Sequence, residues 1–308
     1  MTPRRFQQID VFTDTPYLGN PVAVVLDGSG LDDAAMQRFA RWTNLSETTF
    51  VLPPVHAQAD YRLRIFTPGG ELPFAGHPTL GSCHAWLQAG GQPREEGVVV
   101  QECQVGRVRI RREAGTQRLA FAAPPLSRRA PEASQLAGVL AALGVPASQV
   151  QAAQWLDNGP VWLGLLLDSL DTLLQLAPDH AALQALGVKV GVAARHPGEA
   201  APPLIARLNR EARAFGTRAP QEAAPAAPDL EVRAFAAPIG VPEDPVTGSL
   251  NASLAQWLMA EGHMPGRYLA AQGTCLGRAG QVHVERDAQG QVWVGGASVG
   301  CIEGRVLL

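Results

Sequence analysis

Cysteine is scarce in this 308-residue chain: Cys83, Cys103, Cys275 and Cys301 form no Cys-x-x-Cys pair and fall at no metal-ligand spacing. That excludes a disulfide framework and points to reduced thiols in a cytoplasmic protein. Long apolar runs are missing too. No stretch reaches membrane-spanning length, and the basic start from Met1 to Asp10 lacks an apolar core of signal-peptide size, so neither secretion nor insertion is expected. Charge of one sign is also lacking: 25 Lys plus Arg against 28 Asp plus Glu gives a net charge of −3. Such a balance creates no general field for nucleic acid or anionic lipid, which leaves a small molecule as the expected partner.

What is present suffices for two lobes, since 46% apolar residues can fill a core in each. Phe6 to Phe12 and Asn20 to Asp27 read as two strands joined by a turn around Pro16 to Gly19. Leu31 to Thr43 carries apolar residues at helical spacing, with Asp32 and Asp33 in its first turn. Thr48 to Leu52 and Tyr61 to Phe66 return to strand patterns, and Thr67-Pro68-Gly69-Gly70 leads into Ala75-Gly76-His77-Pro78, the start of a second helix.

The same order then recurs. Asn158 to Asp168 repeats the Asn-Pro-Val, apolar run, Asp pattern, and Leu170 to Leu186 repeats the acidic-started helical stretch. Phe66 lies 20 residues before Trp86, with Gly76-His77 between them; Phe235 lies 22 residues before Trp257, with Gly248-Ser249 between them. A duplicated unit of this kind gives two pseudo-symmetric lobes with equivalent loops facing across a cleft; the competing explanation is chance likeness in an Ala/Leu-rich chain. Between the repeats, Gly97 to Val105 and Gly106 to Arg112 read as a hairpin, and Arg128 to Leu143 as a helical connection. Residues 195–229 turn rich in Ala, Pro, Arg and Glu and read as a surface insertion, with Leu204 to Phe215 as one short helix. Strand patterns resume at Gln281 to Glu285, Val292 to Val294 and Gly304 to Leu308. The expected division is an N-terminal lobe over 1–125, completed by a C-terminal strand over about 295–308, and a C-terminal lobe over 126–294.

Two turns carry the chemistry. In the first, Pro78 suits the first position of a helix and Gly76 lets the backbone approach a ligand. In the second, Gly248-Ser249 opens an apolar helical pattern, with unpaired backbone donors and a hydroxyl that caps them or meets an anion. Either turn alone reads as an ordinary helix start. As a pair on one cleft they suit a small carboxylate. A proton-transfer group is then needed, and Glu47 is the candidate. Asn44 with Glu47 fits a capping box, yet Thr48-Thr49-Phe50-Val51 is strand material, so Glu47 opens an apolar strand where desolvation raises its pKa. Cys83, several residues into the helix, reads as a core thiol. His77 and His84 flank it at a spacing that matches no metal-ligand pair.

Asn44-Leu-Ser-Glu-Thr-Thr-Phe50, Phe66-Thr-Pro68 with Glu71-Leu-Pro-Phe-Ala-Gly-His-Pro78, and Glu243-Asp-Pro-Val-Thr-Gly-Ser249 resemble the PhzF-like phenazine-biosynthesis isomerase family. Asp10-Val11-Phe12 with Gly19-Asn20-Pro21-Val22 adds to the likeness. The resemblance implies the diaminopimelate epimerase fold, an α+β architecture of two lobes, each a mixed barrel-like sheet around a central helix. It puts Glu47 at the proton-shuttling position, His77 and Asp244 beside it as catalytic partners, and Gly76, Gly248, Ser249 and Asn20 in substrate binding. It implies no cofactor, no metal and a homodimer. Epimerases of this fold use two cysteines, where this chain has Ala75 and Thr247, so a two-thiol racemase mechanism is disfavoured.

The leading expectation is therefore a cofactor-independent isomerase moving a proton on a small carboxylate-bearing metabolite. Epimerisation at one carbon, with Asp244 or His77 as second base, and small-acid binding without turnover are the alternatives. Fold alone does not choose among them.

Overall fold

The computed structural model describes residues 1–113, 115–116, 118–197 and 227–308. Its first half runs β1 (Pro3–Val11), β2 (Asn20–Val25), α1 (Asp33–Thr43), β3 (Thr48–Leu52), β4 (Tyr61–Phe66), β5 (Glu71–Leu72), α2 (Gly76–Gln88), β6 (Val98–Cys103), β7 (Gly106–Arg112) and β8 (Leu119–Ala122). The second half runs β9 (Ser127–Arg129), α3 (Ala133–Leu143), β10 (Val150–Asp157), β11 (Val161–Leu167), α4 (Leu170–Leu174), α5 (His180–Leu186), β12 (Val190–Arg195), β13 (Leu230–Ala236) and β14 (Val241–Asp244). It ends with α6 (Gly248–Ala260), β15 (Arg267–Gln272), β16 (Gly280–Arg286), β17 (Val292–Gly296) and β18 (Ser298–Leu307).

The strand pairings obey one rule twice. β1 pairs antiparallel with β2, β2 parallel with β3, β3 antiparallel with β4, and β4 parallel with β6. β10, β11, β12, β13 and β15 repeat that sequence of directions. The hairpin of β6 and β7 is matched by β15 and β16, and the halves join where β8 pairs with β17. The two outer strands complete the symmetry: β18 pairs with β1 as β9 pairs with β10.

Helices α2 and α6 occupy equivalent places inside the two lobes and are covered on nearly every side, which is why their sequences lack a polar face. Strands that separate this interior from an outer helical layer are apolar on both faces. In β11, Trp162 and Leu166 face the central core while Leu163, Leu165 and Leu167 meet α3 and α5 outside. On the first lobe α1 closes the outer face, with Met36 and Phe39 against Phe50 and Phe66.

Several elements depart from the sequence reading. α1 begins at Asp33, because Asp32 is its N-cap and accepts from the Ala35 N–H at 2.7 Å. The stretch from Leu170 to Leu186 is two short helices: Pro178 interrupts it, and Ser169 and Asp179 each cap a new start. Arg128 is not helical; Ser127–Arg129 is strand, paired with Leu156 and its neighbours, and only Ala133–Leu143 forms the connecting helix. β18 starts at Ser298, earlier than Gly304. Of the expected insertion, Arg195 ends β12, while 198–226, including the Leu204–Phe215 helix, lie outside the described residues.

Candidate active site

The first turns of α2 and α6 meet at their glycines. A Cβ on Gly76 would come within 3.0 Å of Gly248 Cα, and one on Gly248 within 3.1 Å of Gly76 Cα. Only residues without a side chain let the two backbones approach so closely. Helices α1, α4 and α5 take a side-chain cap from Asp32, Ser169 and Asp179. α2 and α6 take none: Ala75 has no acceptor to offer, and the Thr247 hydroxyl is turned to Asp244. The first intrahelical bonds are made by Thr79 and Asn251, so the N–H groups of Gly76, His77, Gly248 and Ser249 lack helical partners. Pro78 falls at the third helical position, not the first, and removes a donor that the first turn would otherwise leave open. Ser249 likewise lies inside the helix and does not cap it. Two dipole ends with free donors, side by side, form a cradle for an anion.

Glu47 immediately precedes β3. The preceding α1 ends in a left-handed Asn44 (φ 53°), so Asn44 closes one helix and opens none, and no capping box forms. Glu47 Oε2 faces His77 Nε2 at 3.3 Å, and both atoms are shut off from solvent without a hydrogen-bond partner. Burial pushes the Glu47 carboxyl up to about 7 and the His77 imidazole down to about 4. His77 is therefore neutral at physiological pH.

Asn20, at the first residue of β2, ties the two lobes together. Its Nδ2 donates to Asp244 Oδ1 at 3.0 Å and to the Val246 carbonyl at 2.9 Å; His77 Nδ1 lies 3.4 Å away. An amide has two N–H bonds, so the two nearer oxygens take both. The other Asp244 oxygen, Oδ2, accepts from Thr247 Oγ1. Burial raises the Asp244 carboxyl to about 6, with His77 opposing and the Glu47 charge adding to the rise.

One site residue escaped the sequence reading. Gln272, at the end of β15 and 1% exposed, spends its whole amide on this corner. Its Oε1 accepts from the Thr247 N–H (3.0 Å) and Asn251 Nδ2 (2.8 Å), while Nε2 donates to the Asp244 carbonyl and Thr247 Oγ1, both at 3.0 Å. The hydroxyl of Thr247, receiving from Gln272, must send its own proton to Asp244. No local signal in Arg267-Tyr-Leu-Ala-Ala-Gln272 marks this role. Cys83, by contrast, is fully buried in α2, with its thiol pushed up to about 12 by burial. Among the described residues no group of His, Cys, Asp and Glu is arranged to hold a metal ion, and no helix is long and apolar enough to cross a membrane.

Duplicated mixed sheets, each around a buried helix whose N-terminus faces its twin, define a two-lobed diaminopimelate epimerase-like protein. The chain belongs to the PhzC-PhzF family, described as phenazine biosynthesis-like protein, whose profile matches residues 9–304. It is 33% identical over 312 residues to the trans-2,3-dihydro-3-hydroxyanthranilate isomerase of Pseudomonas aeruginosa, covering 99% of both chains. The same identity over 320 residues, again 99% of each, relates it to antisense-enhancing sequence 1 of Schizosaccharomyces pombe. A solved structure described as a predicted epimerase from Pseudomonas aeruginosa superposes with a TM-score of 0.75 at 27% identity, covering 99% of both chains. The family is one of isomerases and epimerases, and the chain is an enzyme of that class.

Proposed function

We propose that the enzyme relocates a proton on a small, unsaturated carboxylate without a cofactor, with Glu47 as the group that takes the proton and returns it. The observation that carries this reading is the Glu47–His77 pair. Two buried polar atoms 3.3 Å apart, neither hydrogen-bonded, stand beside the paired helix starts. An unmet buried polar group costs free energy, which a substrate bond would recover. A carboxyl with its pKa near 7 serves equally as base and as acid at neutral pH. The substrate carboxylate lies on the N–H groups of Gly76, His77, Gly248 and Ser249, whose dipoles stabilise charge delocalised toward it. Glu47 breaks one C–H bond and holds the proton, the electron pair shifts the double bond along the carbon skeleton, and the Glu47 carboxyl, its proton exchanged with solvent, forms the C–H bond at the far end. Neutral His77 donates or accepts a hydrogen bond without adding a charge. Asp244, with one oxygen held by Asn20 and the other by Thr247, orients the polar end of the substrate and is not the mobile base.

The name of the Pseudomonas relative, an isomerase of a hydroxylated dihydroanthranilate, suits such a substrate: a small ring with a carboxylate and a movable double bond. The test is solvent deuterium uptake into a panel of cyclic unsaturated carboxylates, with no cofactor added, for wild type and Glu47→Gln. Uptake at a carbon remote from the original C–H, lost in the variant, supports the reading. Undiminished exchange in Glu47→Gln overturns it, and product inverted at a single carbon with the double bond unmoved replaces it with epimerisation.

A further inference from the structure

The repeated strand pairings give Glu47 a counterpart in the second lobe. In the first lobe β2 and β3 run parallel from Ala23 and Thr48, and the Ala23 N–H donates to the Glu47 carbonyl at 3.4 Å. In the second, β11 and β12 run parallel from Leu163 and Val190, and the Leu163 N–H donates to the Lys189 carbonyl at 2.9 Å. Lys189 therefore stands one residue ahead of its strand, as Glu47 does. Gly76 and Gly248 open the two central helices, so His77, which faces Glu47, corresponds by the same match to Ser249.

Alternation turns Lys189 inward. Val190, Val192 and Ala194 pack in the outer cluster and Ala193 in the central one, while a Cβ on Gly191 would run into the Leu250 side chain in the first turn of α6. Residues 189, 191 and 193 thus share the face that looks on α6, and Lys189 opens that face as Glu47 opens its own beside His77. Its Nζ lies 4.9 Å from the centroid of the Trp162 ring, which belongs to the central core.

Lys189 is the chain's one lysine; it is half-buried and forms no ion pair with a described residue. The carboxylate whose charge reaches it, Asp157, accepts from the Gly159 N–H at 3.0 Å, as Asp10 accepts from the Gly19 N–H in the other lobe. Burial lowers the Lys189 pKa by more than that charge raises it. The Trp162 Nε1–H is also buried without an acceptor. An uncompensated cation and a stranded donor at one ring both gain from an incoming oxyanion.

We propose that Lys189 binds a second carboxylate of the substrate, which makes the enzyme selective for small unsaturated dicarboxylates. One carboxylate lies on the N–H groups of Gly76, His77, Gly248 and Ser249. The other meets the ammonium on the second lobe's side of the cleft, and the carbon that gives up its proton to Glu47 lies between them. A methyl in place of that second carboxylate leaves the ammonium without a charge partner, and selectivity follows from the charge-assisted bond so lost. The inference rests on the cleft chemistry proposed above and adds to it the group that chooses the substrate.

Isothermal titration calorimetry of the full chain with two matched pairs of acids is the measurement: fumarate with crotonate, and trans-glutaconate with trans-2-pentenoate. Within a pair the carbon skeleton and one carboxylate are shared, and the second carboxylate is replaced by a methyl. In at least one pair wild type should bind the dicarboxylate at least about tenfold more tightly, as one charge-assisted hydrogen bond provides. Lys189→Met, which keeps an unbranched stem beside Trp162, should erase that preference and Lys189→Arg should keep it, with circular dichroism as the check on folding. Because no other lysine competes, acetylation of the wild-type side chain can be followed by peptide mass. The preferred dicarboxylate should slow it, and its methyl counterpart should not. Equal affinities within both pairs, no binding by any of the four acids, a preference that survives Lys189→Met, or acetylation indifferent to the dicarboxylate would each overturn the assignment. None of these outcomes touches Glu47, whose role fails separately, through undiminished deuterium exchange in Glu47→Gln.

Discussion

Gly76 and Gly248 touch: each occupies the space in which a Cβ on the other would have to lie, at 3.0 and 3.1 Å from the facing Cα. They belong to different lobes and open different helices, so the contact sets the gap between two rows of free N–H groups. Glycine is required here for the approach of two backbones.

Alanine at either position follows directly. In Gly248→Ala the new methyl would meet Gly76 Cα, its carbonyl carbon and the His77 nitrogen at 3.1 to 3.2 Å, all backbone and none able to swing aside. The lobes must part by a few tenths of an ångström. Expected are a KM raised by about an order of magnitude and a Tm lowered by several degrees, the strain of an overpacked contact being roughly 1–3 kcal/mol. Unchanged KM with unchanged Tm would show that the helix starts do not hold the substrate.

Stability should report the state of Glu47. Its folded pKa of about 7 lies above the ordinary 4.5, so between those values the folded protein keeps a proton that the unfolded chain has lost. Stability from this group is therefore present at low pH and declines as pH rises toward 7. Glu47→Gln removes the decline. The variant should be more stable than wild type by a margin that grows from pH 5 and levels off above 7, reaching about 3 kcal/mol at most. Chemical denaturation at four pH values measures it, and a margin independent of pH would contradict the buried, proton-holding carboxyl.

How much of this was legible in the sequence depends on range. Strand alternation, the two glycine-containing helix starts and the strand-opening Glu47 are local patterns, and each lies where its pattern points. Pro178 is a local breaker between α4 and α5, and the reading of Leu170 to Leu186 as one helical stretch leaves it out of account. The bond from Asn20 to Asp244 spans 224 residues and has no local signature; it exists because the start of β2 in one lobe lies beside the end of β14 in the other. Gln272 was invisible for a similar reason. A glutamine at a strand end is ordinary until the fold brings four polar partners around it.

The acid limb of kcat/KM should belong to Glu47 and not to His77. Burial holds the imidazole down to about 4, so it contributes no titration between pH 5 and 6.5, whereas Glu47 must lose its proton near 7 to act as base. His77→Asn keeps a neutral hydrogen-bonding group of smaller reach. It should lower the rate while leaving a limb near pH 7. Disappearance of that limb would assign the ionisation to the histidine.

Gln272 has a counterpart that separates positioning from packing. Gln101 in β6 is equally buried, and its Nε2 donates to Thr79 Oγ1, three residues past Gly76, as Gln272 accepts from Asn251, three past Gly248. Gln101 stops there, with its Oε1 taken by Tyr61, while Gln272 continues to Thr247 and the Asp244 carbonyl. Replacing either by Leu strands buried polar partners at roughly 1–3 kcal/mol each, so both variants should melt earlier. Only Gln272→Leu frees the Thr247 hydroxyl from the orientation that sends its proton to Asp244, and only that variant should lose kcat, by at least about tenfold, since a mispositioned polar group in the site costs on the order of 1.4 kcal/mol or more. Equal kcat in the two variants, measured at a temperature where both remain folded, would reduce Gln272 to a structural residue like its twin.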